Sequence, residues 1–232
     1  MKKFAFVLAL SAIFAGAALA EEPVVMYDGP GGSDYDYDRA TLWIDPPDAA
    51  GNIGSSEIIL EFDLISELAN DFILEQDATV ELWRWWGGYW NGYEQPVINY
   101  FVIRIYEDAG CVPGNMLAEL QVDIADVDEV VFEAEPLFEF TYCYSVDFAA
   151  NLYWFGVQGE HVFPPQFGRL AATGIQACES VFKSAYFAYP DWVPASQVFG
   201  ENFDASQEMG DACDDPVATE ESSWGAIKSL YR

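Results

Sequence analysis

The chain has 232 residues, 52% of them hydrophobic, with 39 acidic side chains against 9 basic ones and a formal charge of −30. Such a balance leaves no basic footprint from which nucleic acid or an anionic lipid surface would release counterions, so both are excluded as partners. Beyond the first 20 residues no stretch is long and apolar enough to span a bilayer.

The opening "MKKFAFVLALSAIFAGAALAEEP" has a basic head (Lys2, Lys3), an apolar run from Phe4 to Ala18 and an Ala18-Leu19-Ala20 cleavage site. That is the order of a secretory signal peptide over 1–20, and it predicts a secreted or cell-surface protein. Taking two of the nine bases away with the leader leaves seven against 39 acids, a formal −32. A solvated acidic shell suited to a saline habitat is the plain reading of that surplus.

Residues 21–56 are rich in Gly, Asp, Pro and Ser and read as an acidic arm or long loop. Within it, "SDYDYDRATLWID" sets Asp34, Asp36 and Asp38 two apart and Asp45 eleven after Asp34. This imitates the carboxylate spacing of a calcium loop, although Arg39 stands where glycine makes the turn. Calcium is therefore the one candidate cofactor, against a default of solvated acids.

From residue 57 onward the dominant period is two. "IILEFDLI" sets Ile58, Leu60, Phe62 and Leu64 against Glu61 and Asp63. In "YFVIRIYE", Phe101, Ile103 and Ile105 form an apolar face, opposite a mixed face of Tyr100, Val102, Arg104 and Tyr106. "LAELQVDI" places Ala118, Leu120, Val122 and Ile124 on one side. In "FEFTYCYSVDF", Phe138, Phe140, Tyr142, Tyr144, Val146 and Phe148 face away from Glu139, Thr141, Cys143, Ser145 and Asp147. Half-buried antiparallel strands punctuated by Gly, Pro and Asn turns, without long amphipathic helices, predict an all-β antiparallel sandwich of jelly-roll kind over 57–210.

The stretch "LWRWWGGYWNGYE" carries four of the eight tryptophans. As a strand over 79–86 it has no polar face, which predicts cover on both sides and an internal Trp83 or Trp85. Gly87 to Gly92 then read as a hairpin turn, placing Tyr89, Trp90 and Tyr93 on a loop. With Trp86 at the strand's end and Trp192 of "YPDWVP", these rings are the candidate ligand site. Exposed flat rings beside amides and carboxylates suit sugar stacking, so polysaccharide or another cell-surface component is the candidate partner. The competing reading packs the rings on the protein's own loops.

Cys111, Cys143, Cys178 and Cys213 are the only cysteines. An even number in an oxidising compartment predicts two disulfides, and the pairing expected is Cys111–Cys143 with Cys178–Cys213. The lone histidine, His161, lies in "GEHVFPP" with no nucleophile elbow in the sequence and no zinc-ligand spacing. No catalytic residue is assigned. A secreted glycoside hydrolase stays as an alternative, because 39 acids make any chosen carboxylate pair uninformative. A structural or adhesive surface protein without a small ligand is the third reading. Residues 211–221, "DACDDPVATEE", read as an acidic linker. They lead to a tail, 222–232, whose Trp224, Ile227 and Tyr231 would share one face of a helix.

The segments "ELANDFILEQDATVELWRWWGGYW", "IYEDAGCVPGNMLAE", "YWFGVQ", "FPPQFG" and "FKSAYFAYPDWVPASQVFG", spread over 67–209, together resemble a family of exported bacterial β-sandwich proteins of unknown function. The resemblance implies a secreted, non-catalytic domain and carries over no functional residue. Asn70-Asp71-Phe72 stands where Asp-Asp-Phe is expected, and Cys111 where glycine is commoner. "SWGAIKSLYR" is similar to short C-terminal tails of some secreted bacterial proteins, which implies a sorting or attachment signal.

Overall fold

The computed structural model describes residues 41–93 and 98–213. The leader, Asp34, Asp36, Asp38 and the tail lie outside them. The strands are β1 (Thr41–Asp45), β2 (Ile53–Ser55), β3 (Glu57–Ile59), β4 (Leu64–Ile65), β5 (Glu67–Leu74), β6 (Ala78–Trp90), β7 (Ile98–Asp108), β8 (Pro113–Asp123), β9 (Asp128–Val131), β10 (Leu137–Phe148), β11 (Asn151–His161), β12 (Gln166–Leu170), β13 (Val181–Ser184), β14 (Tyr189–Pro194) and β15 (Gln207–Gly210). A five-residue helix, α1 (Ala195–Phe199), follows β14. No helix among the described residues is long and apolar enough to cross a membrane.

Two sheets pack face to face as an all-β sandwich. The first, of seven strands, runs β1-β15-β6-β10-β9, with β12 joining β6 to β2. The second, of eight, runs β14-β13-β5-β11, after which β7 and β8 continue along β11 while β3 and β4 flank its far end. All pairings are antiparallel except β3 with β11. Between the sheets lies an aromatic-rich core that includes Phe72, Trp83, Trp85, Phe101, Phe140, Phe155 and Phe167. Phe101, Ile103 and Ile105 of β7 and Val122 of β8 point into it, as their alternation requires.

Three boundaries differ from the sequence reading. The body begins before residue 57, because β1 pairs with β15, β2 pairs with β12, and Leu42 and Trp43 pack on the core. The "IILEFDLI" strand breaks: Leu60–Phe62 form a 3-10 turn, closed by Asp63 at a φ of 52°, which turns Leu60 and Phe62 out to solvent. In β10 the alternation slips at a bulge between Cys143 and Val146, so Tyr144 is exposed instead of internal. Trp83 Nε1 donates to the carbonyl of Tyr144 at 2.8 Å, satisfying the bulged backbone.

The fourth difference concerns Gly87-Gly88, which is not a turn. β6 runs straight through to Trp90, with β10 along one side and β15, then β12, along the other. A Cβ on Gly87 would stand 2.5 Å from the carbonyl oxygen of Gly168, and one on Gly88 would stand 2.8 Å from that of Pro136. The glycines therefore serve close backbone approach in mid-sheet.

Both disulfides form, with a different pairing: Cys111–Cys178 and Cys143–Cys213, at Cα separations of 5.5 and 5.6 Å. Strand order explains it. Leu82 of β6 has Cys143 on one flank and Gly210 on the other, so Cys213, three residues on, bridges back across β6. Cys111, at the β7–β8 turn of the opposite sheet, instead pins the segment before β13. The expected Cys111–Cys143 pair would have had to join two different sheets.

Candidate functional site

The rings chosen from the sequence do not form one platform. Odd positions of β6, Trp83, Trp85 and Tyr89, fill the core between the sheets. Even positions Trp86 and Trp90 point the other way, under Ala49, Ile53, Phe132, Leu137 and Leu170. Trp86 and Tyr89 are wholly inaccessible and Trp90 is 6% exposed. Cover on both faces, expected for this strand, is thus supplied by the protein itself. Trp86 Nε1 donates to Glu139 and Trp90 Nε1 to Gln166. Tyr93 stacks on Tyr89 with ring centres 4.9 Å apart. The loop expected to present Tyr89 and Trp90 is strand, and Trp192 lies elsewhere, on the outer face of the second sheet.

Of the four carboxylates in the calcium reading, Asp45 alone falls among the described residues. It ends β1 inside the body, where its Oδ2 accepts from Trp43 Nε1 at 2.9 Å, Asn70 Nδ2 at 2.8 Å and Gln207 Nε2 at 3.0 Å. Burial, partly offset by the Trp43 bond, pushes its carboxyl up to about 8. Among the described residues no group of three or more His, Cys, Asp or Glu side chains is placed to hold a metal ion. His161 is buried, with Nε2 3.1 Å from Glu57 Oε2. The same carboxylate accepts from Ser55 Oγ, Gln166 Nε2 and the amide of Phe167. These groups satisfy one another and tie β2, β3, β11 and β12 into one corner.

The outer face of the second sheet is different. Glu67 of β5 lies at its centre, where Gly156 of the neighbouring strand makes room. A Cβ on Gly156 would meet Glu67 Oε1 at 2.5 Å. Onto this one carboxylate converge Tyr106 Oη at 2.7 Å, Arg104 Nη1 at 3.1 Å and Lys183 Nζ at 3.6 Å. Arg104 also donates to Glu119 Oε2 at 2.7 Å and to Gln158 Oε1, and Gln158 Nε2 donates to the Ser66 carbonyl. Trp192, half-buried on β14, closes the row. Tyr106 meets it edge-on at 5.7 Å, and Lys183 Nζ lies 4.2 Å from its ring centre. Beneath, Trp154, Val181 and Ala69 form an apolar floor pinned by Cys178.

At the centre of this face two cations meet two carboxylates. Arg104 and Lys183 are two of only four Lys and Arg side chains among the described residues. Burial lowers the Arg104 guanidinium, but Glu67 and Glu119 outweigh it and hold the group above its ordinary value. Burial, then the neighbouring Glu67, raises the Tyr106 phenol, so it stays a donor. The face offers a partly exposed indole, fixed donors in Arg104 and Lys183, and the exposed carboxylate of Glu119. Of these residues, sequence reasoning had placed only Trp192 in a candidate ligand site. The mixed face of Tyr100, Val102, Arg104 and Tyr106 was the available signal, but its partners on β5, β11, β13 and β14 become visible only through register.

No family model matches the chain, and no curated protein and no solved structure is similar to it at a significant level.

Proposed function

We propose that this chain is an exported, non-catalytic β-sandwich module that binds uncharged carbohydrate on the outer face of its second sheet. The observation that carries the reading is the row Trp192–Lys183–Glu67–Arg104–Glu119, which sets an indole beside fixed donors and an acceptor on a rigid sheet. A pyranose stacks on such a ring and hydrogen-bonds at its rim. The −30 charge of the chain disfavours uronic-acid and sulfated polymers. Two disulfides suit an oxidising compartment, in keeping with the leader read at 1–20.

Affinity electrophoresis or pull-down on neutral polysaccharides tests this. Trp192→Ala is expected to abolish retention while costing about 1–2 kcal/mol of stability, the value of a partly exposed ring on Tyr106. Retention unchanged in that variant removes the site. The structural or adhesive reading is favoured by one observation of its own: the rings of β6 are all internal, so the sequence's aromatic richness serves packing first.

A further inference from the structure

One end of the sandwich carries an apolar surface that neither the core nor the carbohydrate face uses. It lies where β3, β4 and β11 finish. Leu60, Phe62, Ile65, Val162 and Phe163 are 66, 46, 47, 60 and 39% exposed. Single exposed apolar side chains are ordinary, but five on two adjoining segments are not. Phe62 and Phe163 meet edge to face at 5.7 Å, which joins the two segments into one surface.

The surface is built on a fixed base. The 3-10 turn that expels Leu60 and Phe62 is closed by the Asp63 amide donating to the Leu60 carbonyl. β4 pairs with β3, and Ser184 Oγ donates to the Ile65 carbonyl. Behind Val162, His161 is locked to Glu57. The apolar groups are therefore held in place.

We infer that this end is a docking surface for a segment of a partner polypeptide that carries apolar anchors flanked by lysine or arginine. The choice of occupant follows from charge. Glu61 and Asp63, both exposed, are the only charged residues in the stretches 60–65 and 162–165, and they interleave the anchors. A second copy of the chain would bring the same two carboxylates and another −30 against them, and an anionic membrane is repelled in the same way. A basic amphipathic segment gains both the apolar contact and the ion pairs. The inference stands independently of the carbohydrate reading, since no residue is shared.

The test uses the protein with two synthetic probes of equal charge, one alternating leucine with lysine and one alternating serine with lysine. Fluorescence anisotropy is read at about 0.15 M and about 1 M salt, where screening length falls to a few ångströms. The leucine probe should bind at least about tenfold tighter than the serine probe, and the preference should vanish in Phe62→Ser/Phe163→Ser. Both side chains are exposed, so circular dichroism should be unchanged. Should that variant misfold, Leu60→Ser, on the most exposed anchor, replaces it. Glu61→Gln/Asp63→Asn should weaken the leucine probe at low salt and leave its high-salt binding alone. Equal binding of the two probes, or a preference that survives loss of the anchors, overturns the inference. So does anchor-dependent binding to phosphatidylcholine vesicles, or anchor-dependent dimerisation in sedimentation.

Discussion

Asp45 ends β1 with three donors on one carboxylate oxygen, while the other oxygen is buried with no hydrogen-bond partner among the described residues. Burial raises its carboxyl to about 8, and it likewise raises Asp71 to about 7 and Asp204 to about 6, from an ordinary 3.8. The folded state thus holds protons that the unfolded chain releases. The stabilisation this gives is complete below about pH 4 and is lost as pH rises through 6, 7 and 8. Thermal melts should accordingly fall between pH 5 and pH 8.5. Asp45→Asn, which copies the neutral carboxyl, should flatten that slope and stabilise the protein at the alkaline end. An unchanged slope would mean that water reaches these groups. None of this was legible beforehand, because Asp45 looked like the twelfth position of a loop and its partners Asn70 and Gln207 are remote in sequence. An internal ring at Trp83 or Trp85 was legible, since a strand with no polar face implied cover on both sides. Trp85→Ala should cost about 3–5 kcal/mol in urea unfolding. Trp90→Ala should cost nearly as much, where a loop ring would cost little.

At the scale of elements, period two located β7, β8 and β10 correctly and failed where backbone chemistry intervened. Gly87-Gly88 has the composition of a turn, and what makes it strand is the close approach of Gly168 in β12 and of Pro136 just before β10. Gly168→Ala places a methyl 2.2 Å from the Gly54 carbonyl oxygen and is expected to destabilise by about 1–3 kcal/mol or more, measured by calorimetry. Cysteine parity predicted two bridges, but the partner of each depends on which strands flank β6, which alternation cannot report. Each bridge closes a loop of 67 or 70 residues, worth about 4 kcal/mol of unfolded-state entropy. Cys143→Ser/Cys213→Ser should lower stability by up to that amount, and non-reducing peptide mapping should recover Cys111–Cys178 and Cys143–Cys213.

For the whole molecule, the sequence made the class plain, since a sandwich follows from many short alternating strands. The outer-face row was hidden because its residues come from six strands and only Trp192, Arg104 and Tyr106 carried any mark. The arrangement of the first sheet has a further effect, on the timing of folding. β15 is the last described strand, yet it sits inside the sheet, between β1 and β6. Until residue 210 is available, β1 has no partner and half of β6 is an open edge. The sheet therefore cannot zip from its beginning as the chain emerges. It waits for a closure spanning more than 160 residues, and such long-range pairing is expected to slow folding. Ending the chain at residue 206 should give an aggregating product with exposed strand edges, visible by light scattering. Ending it at Cys213 should preserve the melting temperature. The position of one four-residue strand thus acts as a clock that sets when the first sheet can close.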